Sequence, residues 1–400
     1  MFRTVFHLYK SAWSGLPKSS WMLALVMLIN RSGAMVIPFL SLYLTQKLGF
    51  TLSEAGLCIS AFGGGAFLGA FLGGKLTDKL GPFRVQAGSL LGTGLLFFVL
   101  MELTTFYSVL AGIFVLSLIS ESLRPANAVS VAAFSPPDRV TRAFSLNRMA
   151  ANLGFAFGPA IGGLLAVIDF KLLFVADGLT CIFAGIVFIF FFRKQHALKS
   201  DPVKSAIEKG QSAWMDKKFI LFTVLVSVYA MIFFQFFTTL PVFYRTEYFL
   251  PENEIGLLMA LNGVIIFFCE MILVNKLENK IKIMNLIPIG SILLGFSFFL
   301  IGGFHFVWIL IAAMIFLTVA EMLSMPFMAA HVNAKAGHGR LGEYMAMYTM
   351  AYSFAHIAAP MIGTRIAQTA GFNALWMGCA GISVMIAGGF WFLGRNRASV

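Results

Sequence analysis

Residues 219–244 read FILFTVLVSVYAMIFFQFFTTLPVFY, 26 positions without an Asp, Glu, Lys or Arg. An α-helix rises about 1.5 Å per residue and the hydrocarbon core of a bilayer is about 30 Å thick, so a spanning helix needs about 20 mostly apolar residues. This stretch is long enough to cross, and no side of it is polar enough to face water. It predicts a membrane-spanning helix. Eleven more runs of the same kind lie along the chain, giving twelve predicted spans at 20–45, 53–74, 84–103, 108–133, 144–167, 171–192, 219–244, 255–275, 284–303, 306–330, 343–367 and 373–394.

Composition agrees. The 400 residues are 59% hydrophobic and 12% charged, where soluble domains are about half apolar and about a quarter charged. So few charges cannot cover that much apolar surface, and lipid must be the solvent for most of the chain. The 38 glycines fit the same picture, because glycine lets spanning helices approach closely where hydrophobicity no longer drives their packing. The expected fold class is all-α integral membrane.

The net charge of +12 could suggest nucleic acid, but the basic residues sit in short gaps between apolar runs, as membrane topology demands. With both termini cytoplasmic, 22 of the 29 Lys and Arg fall on inner segments. Lys47, Lys171, Arg245 and Arg365 fall outside, and Arg31, Arg124 and Arg148 lie within spans. This predicts a multi-pass protein of the cell (inner or plasma) membrane. The one break in composition, 193–218, carries seven Lys and Arg and reads as a cytoplasmic linker. The expected organisation is an amphipathic segment at 1–18, a six-helix bundle at 19–192, the linker, and a second six-helix bundle at 219–400. In the first segment Phe2, Phe6, Tyr9, Trp13 and Leu16 recur at helical spacing, as in a helix lying on the membrane surface. The first span is longer than a signal-peptide core and has no cleavage site after it. Cys58, Cys181, Cys269 and Cys379 all lie in apolar runs without CxxC or Cys/His spacing, so neither disulfides nor a metal site is implied.

The two halves repeat. Glu54, Gly56 and Leu57 match Glu254, Gly256 and Leu257 at an offset of 200, as Glu121 and Leu123 match Glu321 and Leu323. At 201, Pro125 matches Pro326, and Pro159, Ile161 and Gly162 match Pro360, Ile362 and Gly363. Paired repeats suit a carrier whose midplane site opens to either side by rocking.

After the second span comes Gly74-Lys75-Leu76-Thr77-Asp78-Lys79-Leu80-Gly81-Pro82-Phe83-Arg84, which resembles motif A of the major facilitator superfamily, Gly-x-Leu-x-Asp-x-x-Gly followed by basic residues. Gly81 permits a tight turn, Gly74 is expected to let the helix end pack closely, and Asp78 can pair with a cation or cap a helix, a contact able to break when the halves rock. Gly74, Asp78, Gly81 and Arg84 are therefore the expected conformational-switch motif. The fifth span carries Gly154-x-x-x-Gly158-Pro159-x-x-Gly162-Gly163, similar to motif C of the drug:proton antiporter branch, which is associated with export. The resemblance covers essentially the whole chain and implies a twelve-helix fold of two pseudo-symmetric bundles. Two departures leave the substrate class open. The segment around Ser117 lacks the motif B arginine, and the second-half copy of motif A, from Asn275 to Lys280, has lost its glycines.

An ionisable residue deep in a span costs about 2.5–3.5 kcal/mol on insertion scales and defaults to a functional candidate. Arg31, Glu121, Arg124 and Glu321 qualify. By the resemblance, the first, fourth, seventh and tenth spans line a central cavity, so these four would share one water-accessible space. Glu121 and Glu321 are the proton-coupling candidates, since a carboxylate desolvated in one state and exposed or paired in another can load and release a proton. Arg31, Arg124, Glu321, Asn30, Tyr229 and Gln235 are the substrate-binding candidates. The competing reading makes Glu121 and Arg124 a static salt bridge, and it places Asn30, Tyr229 and Gln235 at lipid or interhelix positions. Glu270 and His356 read as interhelix partners, and Arg142 and Arg148 as loop or gate anchors.

The expected function is secondary active transport by alternating access, as proton-coupled export of a small organic molecule. Proton-coupled uptake of an anionic or zwitterionic solute such as a short peptide is the alternative, and lipid flipping a third reading. No polar stretch carries a nucleophile–base constellation or a phosphate-binding loop, which points away from an enzyme and from ATP-driven pumping. The implied partners are the small-molecule substrate, protons and lipid, with no cofactor, metal or nucleic acid and a monomeric state.

Overall fold

The computed structural model describes residues 16–136, 140–196, 212–277, 281–304, 306–336 and 341–395. The surface helix expected within 1–15, most of the linker and the copy of motif A at 278–280 lie outside these. Among the described residues there is helix and no strand. The helices are α1 (Lys18–Ser32), α2 (Val36–Leu42), α3 (Leu52–Leu80), α4 (Pro82–Glu102), α5 (Phe106–Glu121), α6 (Leu123–Ala133), α7 (Val140–Ile168), α8 (Lys171–His196), α9 (Lys217–Phe233), α10 (Gln235–Thr238), α11 (Leu240–Glu247), α12 (Glu252–Leu277), α13 (Ile283–Gly303), α14 (Val307–Ala336), α15 (Leu341–Ala370) and α16 (Phe372–Arg395). Eleven helical stretches among the described residues are long and apolar enough to cross a bilayer. The 30-residue α15 occupies the place of the predicted eleventh span.

Three predicted spans are interrupted rather than continuous, and each interruption lies shortly before a proline. Pro38, Pro125 and Pro241 have no N–H to give the carbonyls of Ala34, Glu121 and Phe237, which removes one rung of the helix ladder at each point. The regular helix breaks at Gly33–Met35, at Ser122 and at Thr239, although Ser122 and Thr239 stay in the right-handed helical region. Pro159, Pro288, Pro326 and Pro360 lie inside continuous helices, so proline alone does not decide the matter.

Motif A also differs from expectation. Gly74–Leu80 was expected as a loop, but α3 runs on to Leu80 and only Gly81 separates it from α4. Gly81 has φ +83°, which an L side chain rarely adopts, and Pro82 opens the next helix with its φ already set. The close-packing glycine is Gly73 rather than Gly74. A β-carbon at Gly73 would fall 2.6 Å from the Ser122 Cα, whereas one at Gly74 would meet open space. Gly65, Gly69 and Gly73, four residues apart, form one stripe of α3 against Phe114, Leu118 and Ser122.

The chain forms two compact units, one made of residues up to Val36 with Gly65–Pro202, the other of Ile37–Gly64 with residues from Val203 onward. In the first unit, Leu23, Val26, Leu90, Leu123, Leu146, Phe188 and Phe192 form the apolar core. Gln86 ties α4 to α6, donating to Asn127 Oδ1 at 3.3 Å and accepting from Ser130 at 2.9 Å. In the second unit, buried Trp376 stacks on Phe298 at 5.3 Å and meets Phe243 edge-on at 5.3 Å. The leading part of α3 belongs to this unit: the Ser53 N–H donates to Gln368 Oε1 at 2.9 Å, and a β-carbon at Gly63 would fall 2.7 Å from the His356 backbone.

The internal repeat is visible in backbone hydrogen bonds. The Phe50 N–H bonds to the Leu44 carbonyl at 3.0 Å, and 200 residues on the Leu250 N–H bonds to the Tyr244 carbonyl at 3.2 Å. The residue before each donor has positive φ, Gly49 at +72° and Phe249 at +55°, as in a Schellman C-cap widened by one residue. Glu54 closes a capping box on Thr51, accepting both its N–H and its hydroxyl at 2.8 Å.

At the start of α9, Asp216 accepts from the Phe219 N–H at 3.0 Å, pairs with Lys335 at 2.8 Å and accepts from the Tyr344 hydroxyl at 3.4 Å. It thereby joins the ends of α9, α14 and α15. Burial pushes its carboxyl up, but the Lys335 and Phe219 hydrogen bonds, the Lys335 charge and Tyr344 outweigh that and hold it below the ordinary aspartate value. A carboxyl depressed on folding stabilises above its unfolded value, about 3.9, and that contribution is lost as pH falls through the lower folded value.

Two outcomes are expected in thermal unfolding of the detergent-purified protein. Gly73→Leu should lower the transition by an overpacking cost of about 1–3 kcal/mol, with Gly74→Ala unchanged; equal effects would refute the glycine stripe. Below pH of about 4 the wild type should lose thermal stability more steeply than Asp216→Asn, which lacks that titration; parallel curves would show that Asp216 does not contribute.

Candidate functional site

In the first unit, Arg31 lies in the last turn of α1, just before the interruption at Gly33–Met35. Glu121 ends α5, and Arg124 follows in the first turn of α6. The Arg124 guanidinium pairs with the Glu121 carboxylate at 2.9 Å, with Arg124 64% and Glu121 13% exposed. Arg31 is attracted electrostatically by Glu121 and repelled by Arg124, so two cations and one anion form a single group. The pair lies within one span, three residues apart. Exposed helix pairs of this kind are worth about 0.3–0.5 kcal/mol, too little to lock Arg124 in place. An exposed guanidinium at this depth is tolerated where water reaches it.

Motif C seats this group. A β-carbon at Gly154 would fall 2.8 Å from both the Arg31 Cβ and the Leu28 carbonyl, and one at Gly158 would fall 2.8 Å from the Ala34 carbonyl. The first two glycines of the motif therefore let α7 lie directly against the first span where it is interrupted. Pro159 lies within α7, and Gly162 and Gly163 are buried. Of the motif A residues, Asp78 and Arg84 are exposed, while Gly81 makes the turn.

In the second unit, Glu321 on α14 is half-buried and accepts from the Asn262 amide of α12 at 2.9 Å; the same amide donates to Thr318 at 3.2 Å. Tyr229 on α9 is buried and donates to the Ala320 carbonyl at 3.2 Å. Tyr348 donates to Tyr352 at 3.3 Å, and His356 stacks on Phe234 with ring centroids 3.7 Å apart.

Two of the polar candidates have been used for packing. The Gln235 amide nitrogen donates to the Met231 and Ala359 carbonyls at 3.2 and 3.0 Å, and its oxygen accepts from Thr238 and Thr239 at 3.4 and 2.8 Å. That exhausts the side chain's two donors and two acceptor positions. Gln235 therefore bridges the short helix α10 to α15 and holds the interruption at Thr239. Asn30 donates to Cys181 Sγ at 3.4 Å, tying α1 to α8.

Sequence reading missed Asp177 and Asn262. Asp177 is 2% exposed within α8 and accepts from the backbone N–H groups of Met35 and Val36 at 2.9 and 3.1 Å. The rule that selected Arg31, an ionisable group inside an apolar run, applies equally to it. Asn262 is uncharged, and only the packing of α12 on α14 reveals its partner.

The family model described as Major Facilitator Superfamily matches residues 21–360. Among curated proteins, the chain is 26% identical over 370 residues to an uncharacterized MFS-type transporter, YttB of Bacillus subtilis, covering 90% of this chain and 91% of that one. It is 22% identical over 405 residues to a Na(+), Li(+), K(+)/H(+) antiporter of Planococcus maritimus, covering 91% and 92%. It is also 29% identical over 185 residues to the quinolone resistance protein NorA of Staphylococcus aureus, covering 45% and 44%. A solved peptide transporter, POT in complex with sulfate, superposes with a TM-score of 0.82 over 96% of each chain at 16% identity, a likeness of fold.

Gln235→Ala would remove the hydrogen bond to the Ala359 carbonyl of α15 and the acceptor shared by Thr238 and Thr239, leaving each hydroxyl only a backbone carbonyl. The expected cost is about 1–3 kcal/mol of stability, read as a lower unfolding temperature. Unchanged stability would remove Gln235 from the packing role given to it here.

Proposed function

The chain belongs to the major facilitator superfamily, and on that premise we propose that it is a proton-coupled secondary transporter exporting a small organic molecule by alternating access. It is a multi-pass membrane transporter, not an enzyme. The proposal adds twelve spans with both termini cytoplasmic, two bundles at 19–192 and 219–400 moving as bodies about the linker, the cell membrane as its location, and a monomeric state.

One observation carries the coupling assignment: Glu321 is a half-buried carboxylate held by the neutral amide of Asn262. An amide N–H can donate to an ionised carboxylate or to the carbonyl oxygen of the protonated acid, so this contact survives both states. A group of that kind can take up a proton and release it without dismantling its surroundings. Glu121, paired with Arg124 at 2.9 Å, is the second coupling candidate, and protonating it would free Arg124. The likeness to an antiporter that exchanges H(+) and to a quinolone resistance protein, together with motif C, supports coupling and outward direction.

Uptake of an anionic or zwitterionic solute is the second reading, and it too has an observation in its favour. Arg31 and Arg124 outnumber Glu121 in their group, leaving a local excess of positive charge that a carboxylate or phosphate would neutralise.

Everted vesicles containing the protein, energised and loaded with a pH-sensitive dye, separate these readings. A panel of quinolones, cationic dyes and labelled short peptides should include a compound that dequenches the dye, with Glu321→Gln abolishing the response. Normal dequenching in Glu321→Gln would reject Glu321 as the coupling group. Accumulation of labelled peptide in intact cells, with no dequenching by any compound, would reverse the direction.

A further inference from the structure

The interruption of the first span is fastened to α8 at three successive positions. Asp177 accepts from the N–H groups of Met35 and Val36 at 2.9 and 3.1 Å. One turn along, a β-carbon at Gly33 would fall 2.6 Å from the Thr180 Cβ, and Cys181 takes the hydrogen bond of Asn30 at 3.4 Å. Asp177, Thr180 and Cys181 are spaced i, i+3, i+4 and so share one face of α8. Gly154 and Gly158 of α7 also lie in direct contact with the first span, at Leu28, Arg31 and Ala34.

We propose that Asp177 is a second proton-binding site of this transporter, and that its ionisation decides whether the interruption at Gly33–Met35 stays clasped to α8. Both N–H groups can only donate. An ionised carboxylate accepts from both, one on each oxygen, which is the arrangement observed. When a proton from the aqueous phase adds to one oxygen, an O–H bond forms, nothing leaves, and that oxygen becomes a donor and a weaker acceptor. One of the two backbone N–H groups then keeps only a weakened hydrogen bond in a site almost closed to water. Two N–H groups on two oxygens suit the ionised form best, and the neutral acid loosens its hold on Gly33–Val36. Asn30 and Arg31 lie within a turn of this segment, so the change reaches them along α1, and through Arg31 it reaches Glu121 and Arg124.

The titratable and charged groups facing Asp177 are few. On its own helix Cys181 lies one turn on. From the first span comes Arg31, which interacts electrostatically with Cys181, Glu121 and Arg124. Helix α4 meets α8 through Gly94 and Phe98 near Gly178 and has titratable groups only at its ends, Arg84 and Glu102. Those of α7 lie near its start, Arg142 and Arg148.

This inference does not depend on the solute or on the direction of transport, and its test measures neither. Full-length protein in lipid nanodiscs is followed by hydrogen exchange of the peptide containing Met35 and Val36 across a pH series, corrected for intrinsic exchange. The infrared acid-minus-alkaline difference spectrum is recorded in parallel for wild type, Asp177→Asn and Glu321→Gln. Wild-type protection at Met35 and Val36 should fall about tenfold as pH is lowered through a one-proton titration, the scale of one lost buried hydrogen bond. Asp177→Asn should be deprotected at every pH and lack one protonated-carboxyl band, and Glu321→Gln should keep the titration in this peptide. Wild-type protection independent of pH overturns the proposal even if Asp177→Asn fails to fold. Loss of the titration in Glu321→Gln overturns it as well, by placing the proton there. Failure of the vesicle assay for Glu321 leaves these outcomes untouched, so the two assignments fall separately.

Discussion

Inside hydrocarbon there is no water to take a backbone N–H or C=O, and each unpaired group costs several kcal/mol. That requirement accounts for the helices, and it makes every departure from helix a place where something else must supply the missing partner. In the first span the carboxylate of Asp177 takes the N–H groups of Met35 and Val36. In the seventh, the Gln235 amide satisfies two hydroxyls and the Ala359 carbonyl around the interruption at Thr239. Some of the polar side chains buried in this protein thus complete backbone hydrogen bonding where a helix breaks, and Asp177 and Gln235 are of that kind.

The two units solve close packing differently. The first relies on absent side chains: Gly65, Gly69 and Gly73 of α3 against the fourth span, and Gly154 and Gly158 of α7 against the first. The second adds large rings to such contacts, with Trp376 between Phe298 and Phe243 and His356 stacked on Phe234, beside close glycines at Gly63, Gly290 and Gly295. A glycine contact fixes distance and leaves rotation free, while interlocked aromatic rings fix both. Motif C is on the glycine side of that contrast, beside the segment where Arg31 must be positioned.

The spans were legible in the sequence because hydropathy is a sum over about 20 residues and tolerates local detail. The same averaging hid the interruptions, although Pro38, Pro125 and Pro241 were in plain view and four other prolines proved to be harmless to their helices. The capping box at Thr51 and Glu54 and the turn at Gly81 are local in sequence and could be read there. Which glycine of the pair Gly73–Gly74 packs, and what Asp177 holds, depends on the helix alongside, and no single-chain periodicity contains that. Glu121 and Arg124 were readable as neighbours because three residues on a helix bring them together. Asn30 and Gln235 were readable as polar residues in apolar runs, but their use in packing rests on partners as far off as Cys181 and Ala359.

The distance between the first span and Asp177 also bears on how the chain is made. Val36 and Asp177 are 141 residues apart, which at about 5–20 residues per second of synthesis separates them by about 7–30 s. Through that interval the carboxylate that accepts the Met35 and Val36 N–H groups does not yet exist, and in the lipid these groups would be better served by a closed helical turn. The break that Pro38 opens therefore lacks its side-chain acceptor until the sixth apolar run arrives beside it, and the clasp between the two spans is a late product of assembly.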